Sequence, residues 1–155
     1  MNQWLKDIGD FHRKFGIAYE GKPRALPESL RHFRTQFKQE ELDEYSDHGT
    51  ALSVLLDPNV PTPEADRAEI THQLEGQLDA LVDLMYVTLG SVYLQGFGPI
   101  FDEAWRRVHE RNMAKVRAQA DASDSKRGSS FDVVKPPGWF PPKHTDLVED
   151  HIHAP

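Results

Sequence analysis

An all-α bundle of four to five helices is the fold this sequence predicts, followed by an extended Pro-rich C-terminal segment. Three observations lead there. Apolar residues recur at three- and four-residue intervals along four separate stretches, clusters rich in Pro and Gly divide those stretches, and no stretch alternates apolar and polar residues strongly enough to indicate a sheet.

The first stretch carries Trp4, Ile8, Phe11 and Phe15 and is closed by Gly16, which predicts an amphipathic helix with those four residues inward. A polar loop punctuated by Gly21, Pro23 and Pro27 follows. Pro27-Glu28-Ser29 then opens a second helix containing Leu30, Phe33, Phe37, Leu42 and Tyr45. Three prolines and an asparagine between Asp57 and Pro63 predict a surface loop. From about Glu64 to Gly90, Ile70, Leu74, Leu78, Leu81, Val82, Met85 and Leu89 repeat with helical period, so this third helix is expected to be the longest and most buried, the spine of the fold. Gly96 and Gly98 break the chain. Pro99, Asp102 and Glu103 suit the first turn of a fourth helix that is expected to run to about Ala120, with Phe101, Ala104, Trp105 and Val108 on one side. Residues 121–130 read as a solvated linker, and Lys135 to Pro142 as extended or turned chain.

Composition narrows the function. A chain of 155 residues supports one domain with a core in its first two thirds. Without cysteine there is no disulfide scaffold, no thiol nucleophile and no thiolate metal site, so any metal is held by carboxylates or imidazoles. A net charge of −7 argues against binding to a nucleic-acid backbone. No apolar run is long enough to span a membrane and the first ten residues lack a signal-like pattern, so a cytoplasmic, unanchored protein is expected. A phosphorylated ligand remains compatible with an acidic chain where a divalent cation bridges the negative charges.

Two acidic clusters stand at helical spacing. Glu40, Glu41 and Glu44 fall within one arc of the second helix, an arrangement that like-charge repulsion disfavours unless a cation binds. A solvated acidic face is the other explanation. Asp79 and Asp83 lie one turn apart inside the most apolar helix, beside Leu78 and Val82, and burial near a metal would account for charges in such a place. If the two helices pack antiparallel, their carboxylates can together supply oxygen ligands to one or two hard cations, magnesium first, while a spare Glu serves as general base.

Glu40-Glu41-x-x-Glu44, Asp79-x-x-x-Asp83 and Asn112-Met113-x-Lys115, in that order and spacing, resemble the all-α nucleoside triphosphate pyrophosphatases, the group of MazG, the dimeric dUTPases and phosphoribosyl-ATP pyrophosphohydrolase. Asp79 to Gly90, Val108 to Lys115 and Lys135-Pro136-Pro137-Gly138 are similar to its short MazG-like and phosphoribosyl-ATP pyrophosphohydrolase-like members. The resemblance implies a domain over residues 1–120, with residues 121–155 a linker and tail contributing to it. It implies Mg2+, with Mn2+ as a substitute, cleavage of a nucleoside triphosphate to the monophosphate and pyrophosphate, and a homodimer or homotetramer. Glu40 and Glu41 become the catalytic carboxylates, and Glu41, Glu44, Asp79 and Asp83 the metal ligands. The family's usual second motif is Glu-x-x-Asp; Ala80 stands at its first position here, and Asp79 is taken to replace that carboxylate. Asn112, Lys115, Lys135 and His12 become substrate contacts, with plain solvation of His12 and core packing of Phe15 as the simpler assignments. True phosphoribosyl-ATP hydrolysis and a dUTPase-like role are the neighbouring readings. A non-catalytic helical module with a partner-binding tail is the rival outside the enzyme class.

Overall fold

The computed structural model describes residues 3–59 and 67–153. Among these lie α1 (Gln3–Lys14), α2 (Glu28–Leu55), α3 (Arg67–Leu94), α4 (Gly98–Met113), β1 (Val116–Arg117), β2 (Val133–Val134) and α5 (Thr145–His153). The all-α class holds. The chain forms two compact units, residues 2–96 with α1 to α3, and residues 97–155 with α4, the ribbon and α5. Most of the Pro-rich loop expected between α2 and α3 lies outside the described residues, as does the expected start of α3.

In the first unit α1 and α2 both pack on α3. The inward face of α1 is Leu5, Ile8 and His12, with Gly9 beside them, whereas Trp4, Phe11 and Phe15 are exposed, so the expected inward stripe is turned by about one residue. Gly9 lies against the Tyr93 ring of α3, which a Cβ at this position would meet at 3.4 Å, an ordinary van der Waals contact. The helix closes as expected at Gly16 (φ +69°). Gly16 N–H donates to the Arg13 carbonyl and Ile17 N–H to the His12 carbonyl, the paired bonds of a Schellman end.

Helix α3 is the spine; its described span, 28 residues like that of α2, is buried mainly in its second half, through Val87, Leu89, Gly90, Ser91, Tyr93 and Leu94, with Ala80 before them. Leu74, Leu78 (63% exposed), Leu81, Val82 and Met85 lie open, because α1 and α2 do not reach that side. Two cations reach backbone carbonyls in the second half of α3. Arg34 Nη2 donates to the Val87 carbonyl, and Arg24 Nε donates to the Leu94 carbonyl at 3.0 Å, which complements the negative end of the helix. The loop bearing Arg24 is braced by its own contacts, with the guanidinium 3.3 Å from the Tyr19 ring centroid and Tyr19 Oη donating to the Lys22 carbonyl.

In the second unit α4 stops at Met113, not near Ala120. Val116, Val133 and Val134 favour extended chain, and the strands pair antiparallel as Val116 with Val134 and Arg117 with Val133. A ribbon of two residue pairs is too short for alternation to reveal. Residues 121–130 are largely exposed but knit by turns, in which Asp132 accepts from Ser125 Oγ and Arg127 Nη1. Helix α5 had no counterpart in the expected elements. Arg107 ties it to α4 by donating to both Asp146 oxygens at 2.7 Å and to the Lys143 carbonyl at 2.8 Å.

Gly96 ends α3 with φ +74°, and a Cβ there would stand 2.6 Å from the Gly21 carbonyl oxygen and 2.7 Å from that of Lys22. Gly96→Ala therefore combines left-handed strain with a backbone clash and should cost at least about 2 kcal/mol. Gly16→Ala, which meets nothing within 4 Å, should cost about 1 kcal/mol. Thermal melts of the two variants check the order; equal losses would contradict it.

Candidate metal and nucleotide site

Three contacts fix the register of α2 against α3. Arg34 donates from Nη2 to the Val87 carbonyl and from Nε to Ser91 Oγ at 3.3 Å, and His48 Nδ1 donates to Gln73 Oε1 at 2.7 Å. Between them, Glu41 lies within electrostatic reach of Asp79 and Asp83. Residue numbers rise along α2 as they fall along α3, so the pair is antiparallel. At Gly76 a Cβ would meet the His48 ring at 2.2 Å, and at Gly90 it would meet Arg34 Nη2 at 2.4 Å, so a glycine on α3 admits a bulky side chain from α2 on each side of the acidic clusters. Packing thus sets the carboxylates of the two helices opposite one another.

Glu41 is the only buried carboxylate among the described residues, at 6% exposure. Burial pushes its pKa up, and Glu44, Asp83, Glu40 and Asp79, in that order, push it further by repulsion. These are the five carboxylates singled out by the sequence, and four of them act on Glu41. Glu40, Glu44, Asp79 and Asp83 are exposed, which corrects the expectation that burial explains the two aspartates. Ala80, at 2% exposure, is the inward residue on that turn of α3, so the position where a Glu is usual is the buried one and Asp79 stands on its flank.

Among the described residues no three His, Asp or Glu side chains are drawn together tightly enough to hold an ion as they stand. The donor set nonetheless fits a hard cation. Five like-charged oxygen donors without a compensating cation repel, and magnesium binds through one or two carboxylates while waters and phosphate oxygens fill its remaining positions, so a closed protein cage is not required.

His12 differs from its simpler assignment. It is 2% exposed, its Nδ1 donates to the Ile8 carbonyl at 2.7 Å, and its ring lies 4.9 Å from that of Tyr93. Burial lowers its pKa and keeps it neutral, and Nε2 is left buried without a partner. Phe15, assigned to core packing, is 57% exposed.

The second unit carries the remaining residues. Asn112 is exposed on the last turn of α4, and Lys115 stands past that helix's end. Lys115 and Lys135 are brought together, their ammoniums 5.7 Å and 4.5 Å from the centroid of one ring, that of Trp139. Sequence reasoning gave Trp139 no role; its place directly after Lys135-Pro136-Pro137-Gly138 was the available signal.

The strain at Glu41 has a measurable sign. Its folded pKa lies above the unfolded value of 4.5, so the ionised form opposes folding, fully so above the folded pKa, and the opposition fades as pH falls toward 4.5. Glu41→Gln should therefore raise the melting temperature of the metal-free protein at pH 7 to 8, with the gain shrinking as pH drops toward 4.5. A lower melting temperature at pH 7 would show that the Glu41 charge is compensated within the chain.

No described helix is long and apolar enough to cross a membrane. Among proteins of curated function none matches the chain. The family model for phosphoribosyl-ATP pyrophosphohydrolase matches residues 8–112, taking in all five carboxylates, His12 and Asn112 and stopping short of Lys115 and Lys135. With more than half its length so matched, the chain belongs to the phosphoribosyl-ATP pyrophosphohydrolase family and is a hydrolase of the nucleotide pyrophosphohydrolase class.

Proposed function

We propose that the protein is a Mg2+-dependent pyrophosphohydrolase that cleaves a ribo- or deoxyribonucleoside triphosphate to the monophosphate and pyrophosphate, with Mn2+ as a substitute metal. The observation that carries this reading is the buried Glu41 ringed by four further carboxylates from two packed helices. Glu41, Glu44, Asp79 and Asp83 would hold the cation, which when bound neutralises phosphate charge and increases the acidity of water. Water attacks the α-phosphorus, the bond from that phosphorus to the bridging oxygen breaks, and pyrophosphate leaves. Glu40, or Glu41 where it is not engaged with the cation, takes the proton from the water; the raised proton affinity of Glu41 suits it to that task.

Asn112, Lys115 and Lys135 are assigned to the nucleotide and its phosphates, and residues 121–155 to the same working domain as residues 1–120. His12 is assigned to the substrate through its unpartnered Nε2, the one free acceptor it offers. The open apolar side of α3 supports a homodimer or homotetramer, whose partner would cover Leu74, Leu78 and Leu81. The net charge of −7 fits a protein without a nucleic-acid partner, and a cytoplasmic place goes with the lack, among the described residues, of a helix long and apolar enough to cross a membrane. Phosphoribosyl-ATP is the second substrate reading, favoured by the family match, and it involves cleavage of the same class of bond.

Pyrophosphate release from a panel of nucleoside triphosphates and phosphoribosyl-ATP, with and without Mg2+, tests the reading and ranks the substrates. Release should require the cation and fall at least about 100-fold in Glu41→Gln. Release that persists in the variant, or none from any substrate by a folded protein, would overturn it.

A further inference from the structure

We propose that Trp139 is a positioning residue that joins Lys115 and Lys135 into one receptor for an oligophosphate chain. The proposal deepens the reading above by naming which part of the substrate these lysines serve.

The ribbon's register supplies the first argument. Val116 pairs with Val134 and Arg117 with Val133, so the next residues outward, Lys115 and Lys135, meet as neighbours where the strands open toward α4. Two cations at adjacent cross-strand positions repel. Among the described residues neither forms an ion pair, nor does Arg111 at the end of α4.

Trp139 relieves part of that repulsion by offering its ring to both ammoniums. The indole is held in place from two sides. Its Nε1 donates to the Arg111 carbonyl at 2.8 Å, and its backbone N–H donates to the Pro136 carbonyl at 3.0 Å across a turn in which Gly138 takes φ +81°. That turn folds the chain after Lys135 back over the lysines. Arg111 adds a third cation, 3.7 Å from the centroid of the Phe140 ring. Lys135 also lines a cleft of about 440 Å³ together with Lys126 and Arg127; Arg127 is committed to Asp132, and Asp124, which accepts the Gln119 N–H, is the other acid there.

Uncompensated ammoniums held close together call for a ligand with several negative oxygens in a row, and lysine binds phosphate as a point charge. With both ammoniums drawn to this ring, the arrangement favours the phosphate end of a nucleotide, where their charge is matched.

The test uses tripolyphosphate, which has no base or sugar, without divalent cation. In the full chain carrying Trp4→Phe and Trp105→Phe, Trp139 is the sole tryptophan. Its emission should change saturably on titration, and the change should vanish when Lys115 and Lys135 are both replaced by alanine. By calorimetry, Trp139→Leu should weaken tripolyphosphate binding at least about tenfold, with Trp139→Phe in between because it keeps a ring but loses the N–H bond. In turnover assays Trp139→Leu should raise KM far more than it lowers kcat. Equal binding by the native chain and a folded Trp139→Leu variant, or none by either, would overturn the proposal. Tripolyphosphate binding without hydrolysis of any nucleotide would leave it standing and sink the catalytic reading. Hydrolysis with an unchanged KM in Trp139→Leu would do the reverse.

Discussion

Antiparallel packing of α2 on α3 in one fixed register is the constraint on which the first unit depends. The acidic motifs lie far apart in the chain, and neither makes a site alone. Arg34 on Val87 and Ser91 at one end, and His48 on Gln73 at the other, allow no slip by a turn, so Glu41 comes to rest beside Asp79 and Asp83. Gly76 and Gly90 make this register sterically possible by leaving room for His48 and Arg34.

That register carries an electrostatic cost. A carboxylate at 6% exposure with four like charges around it gains nothing from its surroundings until a cation arrives. Among the described residues no cation acts on Glu41 to offset them, and Arg34 is occupied by the Val87 carbonyl and Ser91 of α3. The fold therefore keeps its acidic centre uncompensated, as the proposed cation site requires, and spends part of its packing energy to hold it.

Much of this was legible in the sequence, and the failures have physical causes. Periodicity located four helices, Gly16 and Pro27 marked real ends, and the spacing of the acidic residues found Glu41 and the four carboxylates that act on it. Hydrophobicity could not tell which apolar face was inward. On α1 Leu5, Ile8 and His12 are buried while Trp4, Phe11 and Phe15 are exposed, and on α3 Leu78 and Val82 read as core yet lie open in a single chain. For the same reason the aspartates beside them were expected to be buried and are not. The ribbon and α5 were missed because two residue pairs give no measurable period, and a nine-residue helix after two prolines shows only Thr145 and Asp146 as starting signals. The meeting of Lys115 and Lys135 follows from strand register, which spacing alone does not disclose.

The most direct test of the central claim, that the Glu41 cluster is the cation site, is titration with Mn2+ followed by the paramagnetic broadening of backbone amide signals. Broadening should appear first at residues 40–44 and 79–83, and at far higher Mn2+ in Glu41→Gln. First broadening elsewhere, for instance at the histidines of α5, or a response unchanged by the substitution, would contradict the account.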